Sequence, residues 1–439
     1  MRLEKVFGVS RDPLESYVER PEVDVLLKSL IDESTRQILI FGSSKQGKTA
    51  LLHRHVPEEQ RVTVHCGPTN DASDIYRSFL RQLGVEIVTE KTSEVGREVS
   101  ASATVKFTAK LPFFGKGEAE AKGEAKAANT DTVHSRLVEF NLSSAQDVAE
   151  LLQEAKGKHK FHVLENFHYL PEAVQQQLAF DLRTFEDMGI RFIILGVWRE
   201  RNRLQQYNGD LLDRIGEVPV EPWNDQDFKR VVQKGETALN ITFSGPVVDR
   251  LFRESLGSVA ILQELLKALC IRADVRETTE GNKKLITSLQ EVEAAVAEKA
   301  IEYAGRHIRS LESIAAGART RHATENTAAL YLNFYFVRAV LMANSDHLRQ
   351  GLERRELYEL IVADHSNPTA VRPEDVTGML NRLAGLQSRA NIMPPLFDFD
   401  PTTRRVKVVD STLFFFLVNS DPKQILDDIP HPQRVVDAD

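Results

Sequence analysis

Residues 36–56 read RQILIFGSSKQGKTALLHRHV, and this stretch decides the fold. Gln37–Phe41 is an apolar run with the length of a buried strand, and a helix is expected from about Lys48. Between them stands Gly42-Ser43-Ser44-Lys45-Gln46-Gly47-Lys48-Thr49, which matches GxxxxGK[ST] at every fixed position. A loop of this kind wraps its backbone N–H groups around phosphate oxygens. Glycine is needed at 42 and 47, where a Cβ would collide or φ is positive. The pattern assigns Lys48 to the β- and γ-phosphates and the Thr49 hydroxyl to Mg²⁺. The helix that starts here, with Ala50 in its first turn, adds its positive dipole end. ATP and Mg²⁺ are the expected ligands.

The composition is that of an ordinary globular chain. Its 439 residues predict about two to three domains. With 42% hydrophobic and 27% charged residues, sizeable cores can form. A net charge of −8 argues against wholesale nucleic-acid coating or membrane adsorption. Cys66 and Cys270 cannot make a disulfide framework, and no CxxC or CxxxH cluster exists to hold zinc. Met1-Arg2-Leu3-Glu4-Lys5 lacks the apolar stretch of a secretion signal. The longest apolar runs, Phe192–Trp198 and Leu413–Val418, reach roughly a third of a membrane span. A cytoplasmic location and no membrane partner are expected.

Outward from the loop, short apolar runs alternate with helical patterns. Val62–Cys66, Phe161–Leu164, Arg191–Val197 and Glu217–Val220 read as further strands. Asp71–Leu83 and Pro171–Met188 read as helices between them, which predicts a parallel sheet covered on both faces. Residues 88–136 interrupt the alternation. Ala101, Ala103, Val105, Phe107 and Ala109 share one face before a PFFGKG turn; Ala119, Ala121, Gly123, Ala125 and Ala127 share one after it. Period two suggests a projecting β-hairpin arm that meets a partner or a neighbouring subunit. A disordered or partly helical low-complexity loop, or a hairpin that inserts in membrane, are the other readings. After Pro222 an all-helical unit is expected, with helices at Asp225–Thr237, Pro246–Ser255, Val259–Ala273 and Thr287–Ile308. From about Ala323, helices at Leu330–Ala343, Arg354–Ala363 and Pro373–Ser388 precede a ribbon, Leu396–Asp400 with Arg405–Val409, the order of a winged helix.

A phosphate loop needs a carboxylate on a neighbouring strand for the Mg²⁺ shell, often followed by a second acid that activates water. The candidate is Val163-Leu164-Glu165-Asn166-Phe167-His168. Glu165 stands in the metal position and Asn166 in the second. An amide can orient water but cannot take its proton, so slow or partner-dependent hydrolysis is expected. His168 reads as a hydrogen-bonded loop histidine or, alternatively, as a base or γ-phosphate reader.

On these residues the chain resembles the AAA+/STAND group of P-loop ATPases, the class of NACHT, NB-ARC and archaeal-type ATPases. Tyr17-Val18-Glu19-Arg20-Pro21 is similar to the group's FVGRE motif, which implies that Arg20 lies on the adenine side of the pocket. Phe192–Arg199 is similar to the sensor-1 strand, which implies a γ-phosphate-reading role for Arg199. Leu211-Leu212-Asp213-Arg214-Ile215 looks like the step before the lid, whose arginine, here Arg214, acts in some relatives on a neighbour's nucleotide. Gly257-Ser258-Val259 falls where the group carries a lid-helix GxP or sensor-2 signature, but Val259 replaces the proline and no arginine stands at 257–260. The resemblance implies an α/β fold: a P-loop NTPase sheet with helices on both faces at 1–222, a helical lid at 223–322 and a winged-helix domain at 323–439.

A GTPase would carry NKxD, and Asn282-Lys283-Lys284-Leu285 lacks the Asp; no LSGGQ-like ABC signature is present. Three functions stay open. The first is a regulatory switch ATPase of signalling or antiviral-defence type, self-associating and meeting a protein partner through 88–136 or the winged helix. The second is a DNA-engaged ATPase resembling origin-recognition or transposition loaders, with Asp375–Ser388 as recognition helix and a wing at Arg404, Arg405 and Lys407. Residues 301–439 carry 16 Lys/Arg against 18 Asp/Glu, which favours a protein contact over a duplex. The third is a scaffold that binds ATP without turning it over.

Overall fold

Four of the five residues of Gln37–Phe41 are apolar and all five are buried, as in a strand covered on both sides. In the computed structural model, which describes residues 1–90, 106–112, 135–155, 157, 159–317 and 330–431, this strand (β1) lies in a five-stranded parallel sheet. The others are β2 (Arg61–His65), β3 (Phe161–Glu165), β4 (Phe192–Gly196) and β5 (Ile215–Pro219), in the order β2-β3-β4-β1-β5. Alternate residues face opposite layers. Ile38 and Ile40 join Ile193, Leu195 and Val163 in a core capped by the helices Leu26–Glu33 and Lys48–His55. Leu39 and Phe41 join Phe192, Ile194 and Leu164 in the larger core under Ala72–Gln82, Ala145–Ala155 and Glu172–Asp187. This is the α/β class the sequence predicts. The register sets the carboxyl ends of β1, β3 and β4 along one sheet edge, so the phosphate loop, Glu165 and Trp198 emerge together.

The interrupting segment forms an antiparallel sheet of Glu86–Glu90, Lys106–Pro112 and Ser135–Phe140. Lys106–Pro112 pairs with Ser135–Phe140, with Pro112 opposite Ser135. Most of the PFFGKG turn and all of Ala119–Ala127 lie outside the described residues.

Past β5, four helices (Asp225–Leu239, Gly245–Glu254, Val259–Arg272 and Leu289–Ala316) enclose a core that also takes in Leu3, Phe7 and Val18. The expected all-helical unit is corrected in one respect. Ile241–Phe243 and Lys284–Ile286 form a parallel pair, too short for any periodicity to reveal. Leu289–Ala316 runs 28 residues and joins two cores, with Val292 and Val296 in one and Leu311 and Ile314 in the next.

Beyond it come Leu332–Met342, Ser345–Gln350, Leu352–Glu353, Arg354–Asp364, Pro373–Asn381 and Leu383–Arg389. Phe397–Asp400 and Arg405–Val408 follow, and Arg405–Val408 is the middle strand of an antiparallel trio with Leu352–Glu353. The helix expected over 373–388 breaks at Arg382, in a stretch whose helix propensity Gly378 and Gly385 lower. The apolar run Leu413–Val418 lies in a helix, Ser411–Val418, capped by Asp410. No helix among the described residues is long and apolar enough to cross a membrane.

Candidate functional site

The loop leaves β1 at Phe41 and returns as the helix Lys48–His55. Gly47 caps that helix in the left-handed region at φ 87°, which costs a glycine little. At Gly42 (φ +151°) a Cβ would stand 2.5 Å from Val220 Cγ2, so no other residue fits without displacing β5's end. The first N–H groups of any helix lack an intrahelical acceptor, and here Lys45–Ala50 line an open cavity. Lys48 Nζ donates to the carbonyls of Gly42 (2.9 Å) and Ser43 (2.7 Å). The Ser43 N–H donates to Glu221 Oε2 at 2.7 Å. Burial pulls the Lys48 ammonium down to about 8, against the nearby Glu221 carboxylate, which favours the charged form.

The acidic strand ends beside this lysine helix. Thr49 donates its hydroxyl proton to Glu165 Oε1 at 3.0 Å. On the other oxygen, His65 Nδ1 lies 2.9 Å away and Arg11 Nη2 3.4 Å away. His65 is the register partner of Glu165 across β2 and β3, which explains their meeting. A hydroxyl and a carboxylate within hydrogen-bond distance are the hard-oxygen pair that Mg²⁺ accepts, leaving further positions to phosphate and water. Asn166 turns the chain at φ 61°, ψ 33°, a conformation Asn tolerates better than most residues, and opens the short helix Phe167–Tyr169. His168 follows with both ring nitrogens buried and unpartnered. Burial, with the Lys48 charge, drives it down to about 3, so the ring is neutral at pH 7.

A cavity of about 390 Å³ continues from the loop. Val9, Leu14, Val18, Val231, Val259 and Trp223 give it apolar walls. Arg20 belongs to one wall: its guanidinium stacks on Trp223 at 3.7 Å and donates to the Val220 carbonyl at 2.9 Å. Tyr17 and His55 both bind Asp24 Oδ1, at 2.5 and 2.8 Å, which ties the Tyr17–Pro21 segment to the phosphate-loop helix. Gln263, from the helix Val259–Arg272, accepts the Gly8 N–H and donates to Ser16.

Three loop residues also reach elements far along the chain. The Ser44 N–H donates to the Val409 carbonyl (2.8 Å), and Ser411 Oγ donates to the Ser44 carbonyl (2.9 Å). Gln46 donates to Ser411 Oγ (3.0 Å) and accepts the Val259 N–H (3.4 Å). Lys45 Nζ stands 5.8 Å over the Tyr303 ring. Asp410 between the two contacts is fully buried, caps Ser411–Val418 through the Thr412 and Leu413 N–H groups, and pairs with Arg306 at 2.9 Å.

The structure sets Glu165 against Thr49 of the loop, with Asn166 next to it in the chain, and puts Arg20 in the wall of the cavity that the loop lines. The other two arginines assigned by resemblance have partners away from the loop. Arg199 follows β4 on the correct sheet edge, but its Nη1 donates to the Arg349 carbonyl at 3.1 Å. Arg214 precedes β5 at the opposite end, where its carbonyl accepts the N–H of Gln37, the first residue of β1. Its side chain pairs with Glu186 (2.9 Å) and Asp187 (2.6 Å) on the outer surface. Sequence reasoning missed Arg11, His65, Glu221, Trp223, Gln263 and Ser411. Only His65 left a signal, as the last residue of a strand beside the acidic one.

No known family model matches the sequence, and no curated protein matches it. Among solved structures, the chain is similar to the Orc1 protein of Aeropyrum pernix in complex with DNA, at 13% identity and TM-score 0.40, covering 96% of this chain and 95% of that one. It is similar to a Walker-type ATPase of Pyrococcus abyssi at 12% identity and TM-score 0.47, covering 95% and 100%. It is similar to Cdc6p from Pyrobaculum aerophilum at 12% identity and TM-score 0.35, covering 93% of each.

Proposed function

We propose that the chain binds ATP with Mg²⁺ in this pocket and works as a nucleotide-gated switch ATPase. In this reading the units are 1–222, 223–322 and 323–439, the last a winged helix, and the triphosphate state decides whether the last unit stays docked. The observation that carries it is the seam at Ser44 and Gln46, whose backbone and side chain are held by Val409 and Ser411. A ligand that reorders the loop must disturb those bonds, so loading and docking are linked.

Lys48, now on the carbonyls of Gly42 and Ser43, is the residue that turns to phosphate. Thr49 and Glu165 would hold Mg²⁺, which neutralises charge on the phosphate oxygens. Asn166 supplies no proton acceptor, so hydrolysis is slow, or completed by a group from a self-associated neighbour or partner protein. For the DNA-engaged alternative, the exposed arginines of the last unit would have to be available. Of the wing residues, Arg405 pairs with Glu353 and Lys407 with Glu200, while Arg404 is exposed.

The test is equilibrium ATP binding by the wild type and Lys48→Ala, with thermal unfolding alongside. Expected is saturable, Mg²⁺-dependent binding by the wild type and at least a hundredfold loss in the variant, with little change in Tm. A variant that binds ATP like the wild type contradicts the assignment.

A further inference from the structure

Residues 8–14 run along the cavity as a strap, with Gly8–Asp12 and Leu14 in its lining. At one end the N–H groups of Gly8 and Val9 donate to Gln263 Oε1 and Glu264 Oε1, both at 3.2 Å. Farther along, Asp12 Oδ1 lies 2.8 Å from His53 Nδ1 on the phosphate-loop helix. Between these anchors Arg11 turns inward and lines the cavity. Its side chain is 68% exposed, yet Nη2 stands 3.4 Å from Glu165 Oε2, on a carboxylate 7% exposed. That carboxylate already has Thr49 on one oxygen and His65 on the other. Arg11 is therefore an exposed cation with one long contact, two hydrogen-bond steps from the Thr49 hydroxyl.

Of the other cations lining the cavity, Arg20 is held by Val220 and Trp223, Lys45 lies 5.8 Å from the Tyr303 ring, and Lys48 is the loop's own lysine, shared between the β- and γ-phosphates in the reading above. The lid helix brings no arginine at 257–260. A terminal phosphate carries more charge than one shared carboxylate oxygen and offers two acceptors to the guanidinium fork.

We propose that Arg11 reads the terminal phosphate of the bound nucleotide, leaving Glu165 for it and drawing the 8–14 strap over the pocket. The strap thus supplies in cis, from the start of the chain, the cation the lid helix lacks. ADP offers no such phosphate, so Arg11 separates ATP from ADP. This rests on the nucleotide site proposed above.

The test is titration of the full chain with ATP and with ADP, at fixed Mg²⁺, for the wild type, Arg11→Ala, Arg11→Lys and Lys48→Ala. Arg11→Ala should weaken ATP about tenfold or more while ADP affinity stays within about twofold. Arg11→Lys should recover part of the difference, and Tm should not move, because an exposed side chain with one long contact carries little stability. If the wild type binds neither nucleotide, the site reading fails and this inference with it. If the wild type binds both and Lys48→Ala binds neither, yet Arg11→Ala keeps the wild-type ratio of ATP to ADP affinity, Arg11 alone is overturned.

Discussion

Lys48 is the residue on which the site's electrostatics turn, and its environment gives a pH signature. Its folded value of about 8 lies well below that of a free lysine. Below pH 8 the ammonium is charged and ATP affinity should be flat. Above it the nucleotide must also recruit a proton, so affinity should fall by up to about tenfold per pH unit. The sign for the empty fold is opposite. Between about 8 and 10.5 the unfolded chain holds a proton that the folded one has lost, so stability rises with pH. Titrations and urea melts at pH 7, 8.5 and 9.5 check both; affinity that does not change across this range would contradict the buried lysine. At this scale the sequence was legible where chemistry fixes spacing. Gly42, Gly47, Lys48 and Thr49 are the fixed positions of eight consecutive residues with one use, and Glu165 needs only to end a strand. Glu221 and Ser411 reach the loop from 178 and 367 residues away, and Arg11 reaches Glu165 from 154, distances that carry no local pattern.

Among the elements, strands were readable where burial on both faces leaves a nearly unbroken apolar run, as in Gln37–Phe41 and Phe192–Gly196. They were unreadable at three residues, as in Ile241–Phe243. The order of helices and ribbon in the last unit was visible, but the break at Arg382 was not, because Leu380 and Leu383 keep helical spacing across it. The element that matters most for the switch is Ser411–Val418, whose start is fixed by Asp410. Removing that carboxylate takes away two capping bonds and the partner of Arg306 at once. Asp410→Ala should cost about 2 kcal/mol. It should also free Ser411 from Ser44, so limited proteolysis near 409–418 should become fast without nucleotide. A variant as stable and as resistant as the wild type would show that Asp410 does not hold the seam.

Across the whole molecule, one loop joins three parts: β1 behind it, Val259 of the helix Val259–Arg272 through Gln46, and Val409 and Ser411 through Ser44. The long helix Leu289–Ala316 joins the cores of the latter two parts, and its Arg306 and His307 bond to Asp410 and Thr412 on either side of Ser411. Burial pushes His307 down to about 4, so this junction stays uncharged on the histidine side at pH 7. If the loop's occupant decides whether the seam holds, amide hydrogen exchange over 405–418 should depend on it. Measured with no nucleotide, with ADP and with a non-hydrolysable ATP analogue plus Mg²⁺, exchange there should rise at least severalfold with the analogue and stay at the empty level in Lys48→Ala. Equal exchange in all three states, in a wild-type chain that demonstrably binds the analogue, would contradict it.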